Sequence, residues 1–121
     1  MARAQTAHIL VFAGSTRQGA FSRRLAAAAS LAIAEQQAQP TLIDLADFDA
    51  PLFNADIEGR DGIPQAVLDF RRLVATHDAL CLATPEYNGG ITPLLLNMFC
   101  WPRARPRRMI SARFFRTNRW R

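Results

Sequence analysis

Lysine is absent from the sequence, and histidine and cysteine are scarce. All fifteen basic residues are Arg, which excludes a Walker-type phosphate loop because that loop needs a Gly-Lys-Ser/Thr segment. The cysteines, Cys81 and Cys100, and the histidines, His8 and His77, do not have the spacing of metal ligands. Two cysteines are also too few for a disulfide framework. We therefore expect no metal site, and we expect Cys81 to be a small buried side chain.

Long apolar runs are also missing. No stretch approaches the ~20 apolar residues that a membrane-spanning helix requires. The run ILVFA near the N-terminus is too short for the core of a signal peptide. With 121 residues, 50% of them hydrophobic, the chain is expected to form one domain with a modest core in the cytoplasm.

Acidic residues are confined to the first part of the chain. Residues 1–101 hold seven Arg and all ten Asp and Glu residues, a net charge of −3. Residues 102–121 hold eight Arg and no acid, a net charge of +8. The formal charge of +5 is thus the average of a mildly acidic domain and a short basic tail.

Three short apolar runs predict β-strands at residues 8–14, 41–45 and 78–83. The run at 8–14, with its branched apolar residues, is typical of a strand that is covered on both faces, as in a parallel sheet. Residues 46–62 are rich in Asp, Gly and Pro and predict a loop.

Helical patterns separate the predicted strands. Ser22 stands where the N-cap of a first helix belongs, and Pro40 would end that helix. Pro64 opens a second helix, and Thr92 with Pro93 forms the N-cap and first position of a third. The predicted apolar faces are Leu25, Ala29, Ala32 and Ile33 in the first helix, Val67, Phe70 and Val74 in the second, and Leu94, Leu95, Met98 and Phe99 in the third.

The alternation of strands and helices predicts an α/β fold with a parallel sheet. In such sheets ligands bind beyond the carboxyl ends of the strands. Two polar loops, at residues 15–22 and 84–91, follow the first and third strands and should meet at that edge. His8 and His77 precede strands and should lie at the opposite edge, so we do not expect them to be catalytic.

The first polar loop has the chemistry of a phosphate site. Ser15, Thr16 and Ser22 offer hydroxyl groups, Arg17 offers a guanidinium, and a helix N-terminus offers backbone N–H groups. The segment does not contain GxGxxG, and Asp44 follows Gly14 by thirty residues rather than the ~20 of a Rossmann ribose-binding acid. An ordinary strand-to-helix turn remains an alternative.

The second polar loop could hold a planar ring. Tyr87 offers an aromatic face, Asn88 offers amide groups, and Gly89 and Gly90 allow close backbone approach. A surface aromatic residue is the alternative for Tyr87 alone, but the position of both loops at one edge of the sheet favours a shared site.

Three segments, GSTRQGAFSRRLA, LIDLADFDAPLFN and ATPEYNGGITPLLLN, resemble in order and spacing the NAD(P)H-dependent FMN reductase family. This flavodoxin-like group includes quinone and chromate reductases, and the likeness runs from about residue 8 to Trp101. The resemblance implies a flavodoxin-like parallel sheet with flanking helices and the strand order 2-1-3. It also implies an FMN cofactor, NADPH or NADH as electron donor, a small-molecule acceptor such as a quinone, and a homodimer.

The resemblance also implies roles for individual residues. Because FMN would carry the redox step, no catalytic side chain is expected. Ala20 departs from the family pattern, in which a Ser is frequent at this place. The residues that correspond to the FMN phosphate loop are Ser15, Thr16, Arg17 and Ser22, and those that correspond to the wall beside the flavin are Pro85, Glu86, Tyr87, Asn88 and Gly89.

The likeness ends near Trp101, where the sequence changes to WPRARPRRMISARFFRTNRWR. We interpret residues 1–101 as the N-terminal part of an FMN-binding domain and residues 102–121 as an irregular, disordered tail. Such a change is typical of a truncated or frameshifted product, which would leave the third strand at a sheet edge unless residues 109–115 pair with it. In the alternative interpretation the chain is not catalytic, and its Arg-rich tail binds nucleic acid or another polyanion through Arg, Phe114, Phe115 and Trp120.

Overall fold

The structure, a computed structural model, describes residues 5–101 of the chain. The basic tail at 102–121, with the possible edge strand at 109–115, lies outside the described residues. The elements, in chain order, are β1 (His8–Ala13), α1 (Phe21–Glu35), β2 (Gln39–Leu42), a 3₁₀ helix (Leu45–Phe48), α2 (Ala55–Asp61), α3 (Gln65–Thr76), β3 (Ala79–Ala83) and α4 (Pro93–Cys100).

The strands form one parallel sheet in the order β2-β1-β3. In the register of the sheet, Val11 is opposite Leu42 on one side and Cys81 on the other. The predicted α/β class, parallel pairing and strand order are therefore confirmed. β1 is the central strand among the described residues, which agrees with its continuous apolar sequence.

The side chains of β1 alternate between two layers of core. Leu10 and Phe12 point to one face and Val11 and Ala13 to the other, as the two-residue period of a strand requires. Phe12 packs edge-to-face on Phe70, with 5.5 Å between the ring centroids. The first face is covered by the 3₁₀ helix, α3 and α4 through Leu45, Phe70, Leu95 and Met98, and the second face is covered by α1 through Ala26.

The predicted apolar face of α1 is correct only in part. Ile33 packs against the second layer of core and Ala29 is half-buried, but Leu25 is 62% exposed and Ala32 is also exposed. The buried residues of the helix are Ser22 and Ala26, small side chains that let the helix backbone lie close to β1. The exposed large apolar residues of α1 are Phe21, Leu25 and Leu31.

The expectation that Pro40 ends the first helix is also wrong. The helix ends at Glu35, and Gln37 has a φ of 63°, a left-handed conformation that reverses the chain before Pro40. Pro40 lies within β2, opposite Ile9, so the strand begins and ends earlier than predicted. A proline is tolerated there because β2 is an edge strand of the described sheet.

The segment predicted as a loop at 46–62 contains two short helices. The Asp44 carboxylate accepts a hydrogen bond from the Ala46 N–H and caps the 3₁₀ helix, and the Asn54 amide oxygen accepts one from the Asp56 N–H and caps α2. These side chains supply acceptors to backbone donors that a helix start leaves free. Asp44 and Asn54 are residue types that commonly cap helices, but the high content of Asp, Gly and Pro in the segment favoured the prediction of a loop.

The loop before α2 is held by α4. Asn97 Oδ1 accepts a hydrogen bond from the Phe53 N–H at 2.7 Å, and Asn97 Nδ2 donates to the Pro51 carbonyl oxygen at 3.0 Å. The fully buried Trp101 donates from Nε1 to the same oxygen at 2.8 Å and packs edge-to-face on Phe53. Trp101 therefore belongs to the packed domain.

β1, β3 and α4 converge at Gly14. The Gly14 N–H donates to the Ala83 carbonyl oxygen at 2.8 Å, and the Thr92 hydroxyl donates to the Gly14 carbonyl oxygen at 2.7 Å. A Cβ atom at Gly14 would overlap the Thr84 side chain and would lie 2.7 Å from Leu95 Cδ1. Only glycine fits at this junction without displacement of its neighbours.

We expect Thr92→Val to lower the free energy of unfolding by about 1–3 kcal/mol, because it removes both the bond to Gly14 and the cap of α4. The free energy of unfolding is measured by urea denaturation that is monitored with circular dichroism. Thr76→Val is the matched control, since the exposed Thr76 hydroxyl bonds only carbonyl oxygens of its own helix and the adjacent His77 ring. An equal loss of stability in both variants would contradict a special role for the buried hydroxyl of Thr92.

Candidate functional site

The β1–α1 loop, residues 14–20, is a compact turn that leads into an uncapped helix. The Arg17 N–H donates to Ser15 Oγ at 3.2 Å, and the Ala20 N–H donates to the Arg17 carbonyl oxygen at 3.2 Å. The N-cap of α1 is Ala20, and no side chain among residues 5–101 caps the helix. The first N–H groups of a helix have no acceptor within it, so they are available to an external anion.

The prediction that Ser22 caps α1 is wrong, because the turn at residues 17–20 starts the helix at Phe21. Ser22 is 7% exposed, and its Oγ is buried without a hydrogen-bond partner in the part of the chain that the structure describes. A buried hydroxyl without a partner costs about 1–3 kcal/mol. Buried polar atoms in proteins nearly always have a partner, so the Ser22 hydroxyl is a candidate contact for a polar ligand.

The β3–α4 loop, residues 84–92, contains a tight hairpin. Tyr87 and Gly90 exchange two backbone hydrogen bonds of 3.0 Å each, and Asn88 and Gly89 between them have φ angles of 52° and 79°. Two left-handed residues at the centre of a two-residue hairpin are typical of a type I′ turn, for which Asn-Gly is the preferred sequence. The turn presents the ring of Tyr87, which is 53% exposed.

Both loops border one cavity of about 820 Å³, the first cavity. This volume lies within the ~300–1,000 Å³ of common ligand pockets. Of the predicted site residues, Ser15, Arg17, Ser22, Pro85 and Tyr87 line this cavity. Thr16, Glu86, Asn88 and Gly89 are not among its lining residues.

The wall of the first cavity also contains residues that the sequence did not reveal. They are Phe21, Arg24 and Leu25, and the lining also includes Ala20, the departure from the family pattern, and Thr84 of the second polar loop. The outward orientation of Phe21, Arg24 and Leu25 follows from the register of α1, which was predicted incorrectly. A correct assignment of Ala20 as N-cap would have identified them.

Positive charge dominates the first cavity. Arg17 and Arg24 line it, and none of its lining residues in the described part of the chain is acidic. Combined with the free N–H groups of α1, this arrangement favours a bound anion. The apolar parts of Phe21, Leu25 and Pro85 can cover an uncharged portion of the same ligand.

Asp44, the alternative ribose-binding residue, borders a different cavity. Its Oδ2 lies 2.7 Å from Nη2 of Arg23, and both residues line a second cavity of about 520 Å³ near the carboxyl ends of β1 and β2. Ser15 lines both cavities. The β1–α1 loop thus lies between the first and second cavities.

Histidine and cysteine do not take part in the first cavity. His77 Nε2 lies 2.8 Å from Thr41 Oγ1, and His77 and His8 adjoin the amino ends of β3 and β1, as predicted. Cys81 is half-buried rather than buried as expected, and this partial burial still raises the pKa of its thiol, so little nucleophilic thiolate forms at neutral pH. Residues 5–101 contain no cluster of three metal-binding side chains and no helix long and apolar enough to cross a membrane.

Comparison with known sequences identifies one matching family model. It describes NADPH-dependent FMN reductases and matches residues 7–115, a range that extends beyond Trp101. The chain is 38% identical over 94 residues to "Probable NADPH:quinone oxidoreductase 2" of Oryza sativa subsp. japonica, covering 77% of this chain and 46% of the relative. It is 35% identical over 107 residues to an NAD(P)H-dependent FMN reductase of Pseudomonas aeruginosa, covering 87% and 55%. The chain thus spans about half the length of these relatives.

Solved structures show the same fold. The flavoenzyme NAD(P)H:(acceptor) oxidoreductase of Paracoccus denitrificans superposes with a TM-score of 0.65 at 23% identity, over 79% of this chain and 50% of that one. The NAD(P)H:quinone oxidoreductase of Methanothermobacter marburgensis superposes with a TM-score of 0.65 at 17% identity, over 80% and 53%. These likenesses confirm the flavodoxin-like arrangement of the sheet and helices.

We expect Gly89→Ala to destabilise the hairpin by about 1–2 kcal/mol, because a side chain disfavours its left-handed φ. Gly90→Ala is the matched control, since Gly90 has no positive φ and its added Cβ would meet only the Tyr87 carbonyl oxygen at an ordinary 3.8 Å. Hydrogen exchange of the Tyr87 and Gly90 amides measures the effect. Faster exchange only in Gly89→Ala is expected, and equal exchange in the two variants would refute the turn assignment.

Proposed function

The chain belongs to the NADPH-dependent FMN reductase family, and on that premise we propose that its first cavity binds FMN for the reduction of a small acceptor by NAD(P)H. The acceptor class includes flavins and quinones, in keeping with the names of the relatives. Residues 1–101 would be the FMN-binding domain. The proposal depends on the fit of the cavity residues to the cofactor.

The observation that carries the proposal is the Ser22 hydroxyl, which is buried in the first turn of an uncapped helix and has no partner among residues 5–101. A phosphate oxygen is a strong acceptor for such a hydroxyl and for the free N–H groups beside it. Arg17 lines the same cavity and adds the positive charge that a phosphate dianion requires. Ser15 and Thr16 complete the proposed phosphate-binding residues.

The β3–α4 loop would form the wall beside the isoalloxazine ring. Pro85 and Tyr87 line the cavity and offer apolar surface, while Asn88 and Gly89 form the hairpin that carries Tyr87, and Glu86 directly precedes it. Bound FMN supplies the chemistry, which is to take electrons from a nicotinamide and to pass them to an acceptor. The residues of the chain bind and orient the cofactor, and we assign none of them a proton-transfer role.

We propose NADPH or NADH as the donor, a homodimer as the assembly and the cytoplasm as the location. The dimer is supported by the large apolar side chains exposed on α1, Phe21, Leu25 and Leu31, since such surfaces are often contact sites. The cytoplasm is supported by the two free thiols of Cys81 and Cys100, which reducing compartments maintain.

Titration of the full chain with FMN, monitored through the quenching of flavin fluorescence, tests the proposal. We expect Ser22→Ala to weaken FMN binding by about tenfold, the equivalent of one charge-assisted hydrogen bond. The same variant should be more stable than the parent without FMN, by about 1 kcal/mol, because the unpartnered hydroxyl is gone. Urea unfolding without FMN measures this second effect.

Ser30→Ala is the matched control, because Ser30 lies two turns further along the same helix and does not line the first cavity. It should leave FMN affinity unchanged. The proposal fails if the folded parent chain does not bind FMN, or if Ser22→Ala and the parent bind it equally well.

A further inference from the structure

Arg23 joins three parts of the chain beside the proposed phosphate site. It belongs to the first turn of α1, its Nη2 lies 2.7 Å from Asp44 Oδ2, and its Nη1 donates to the Thr16 carbonyl oxygen at 3.4 Å. One guanidinium therefore connects the helix start, the β1–α1 loop and the segment that follows β2.

Asp44 is a fixed anchor for this guanidinium. Its Oδ1 accepts the Ala46 N–H at 3.0 Å and caps the 3₁₀ helix, so the orientation of the carboxylate is set by its own backbone segment. The side chains of Arg23 and Asp44 are 30% and 33% exposed. A pair that is about one-third exposed adds only modestly to overall stability, and its distinctive feature is that it connects separate segments of the chain.

The arginines of the α1 region are divided between two cavities. Arg17 and Arg24 line the first cavity, whereas Arg23 lines the second together with Asp44. The Thr16 carbonyl oxygen bonds to the guanidinium on the second side, and Thr16 does not line the first cavity. A carbonyl dipole directed at a phosphate would repel it, so this bond holds a repulsive group away from the anion site.

We propose that the Arg23–Asp44 pair is a positioning device that fixes the β1–α1 loop against the start of α1 and keeps the Thr16 carbonyl oxygen on the side of the second cavity, away from the first. It thereby sets the preference of the chain for a phosphorylated flavin over an unphosphorylated one. The inference rests on the proposed function, because it concerns the phosphate end of the same ligand. Arg23 and Asp44 are positioning residues and do not contact the ligand.

The test compares the affinities of the full chain for FMN and riboflavin, which differ only in the phosphate. Arg23→Gln should weaken FMN binding by about tenfold, the factor that follows from one misplaced charge-assisted contact. Riboflavin binding should not change. A general loss of structure would weaken the binding of both ligands, so the ratio of the two affinities reports an effect that is specific to the phosphate.

The Asp44→Asn variant distinguishes positioning from simple charge attraction, because the two explanations predict opposite changes in FMN affinity. Asn can still cap the 3₁₀ helix, but it no longer holds Arg23 by charge. Positioning predicts weaker FMN binding in this variant, whereas simple charge attraction predicts tighter binding because a negative charge near the anion site is removed. If the two side chains act as a unit, the Arg23→Gln/Asp44→Asn double variant should bind FMN no more weakly than the weaker-binding single variant.

Arg60→Gln is the matched control, since Arg60 forms an exposed pair with Asp61 on α2, away from both cavities. It should leave both affinities unchanged. A parent chain that binds FMN, with Asp44→Asn binding FMN equally or more tightly, would overturn this inference and leave the proposed function intact. A folded parent that binds neither flavin would overturn both.

Discussion

The hydrogen bond from the Thr92 hydroxyl to the Gly14 carbonyl oxygen, at 2.7 Å, is the contact on which the geometry of the site depends. Gly14 follows β1, its N–H bonds the last residue of β3, and Thr92 begins α4. This single junction therefore sets the position of the β1–α1 loop relative to the β3–α4 loop. Ser15, which follows Gly14 directly, lines both cavities, so a shift at the junction would change both.

The parts of the fold that local sequence determines could be predicted. The start of α4 at Thr92 and Pro93 required only capping chemistry, and the presence of β1 required only an apolar run, whereas its central position followed from the family resemblance. Contacts between distant residues decided the parts that could not. The face of α1 that packs on the sheet carries small side chains such as Ala26. A helical pattern ranked by hydrophobicity predicts instead that Leu25 is buried. Pro40 could join a strand only because that strand has a free edge among the described residues.

The candidate site was predictable to a similar extent. The two loops were found because parallel strands bring their carboxyl ends to one edge, which is a property of the topology. The roles of single residues were harder to assign, because Asn88 and Gly89 satisfy the demands of a tight turn in the same positions where a ligand contact was expected. Arg24 and Phe21 were missed because the first residue of α1 depends on the turn made by Arg17 and Ala20.

The unpartnered hydroxyl of Ser22 links the folding equilibrium to ligand supply. A ligand that bonds this group binds only the folded chain, because the buried position does not exist after unfolding. By mass action, a free ligand concentration one hundred times its dissociation constant adds about 2.7 kcal/mol to stability. That is a large part of the 5–15 kcal/mol typical of whole domains. The resistance of such a chain to proteolysis then rises with the concentration of the ligand that bonds Ser22, because cleavage follows the equilibrium population of the open form.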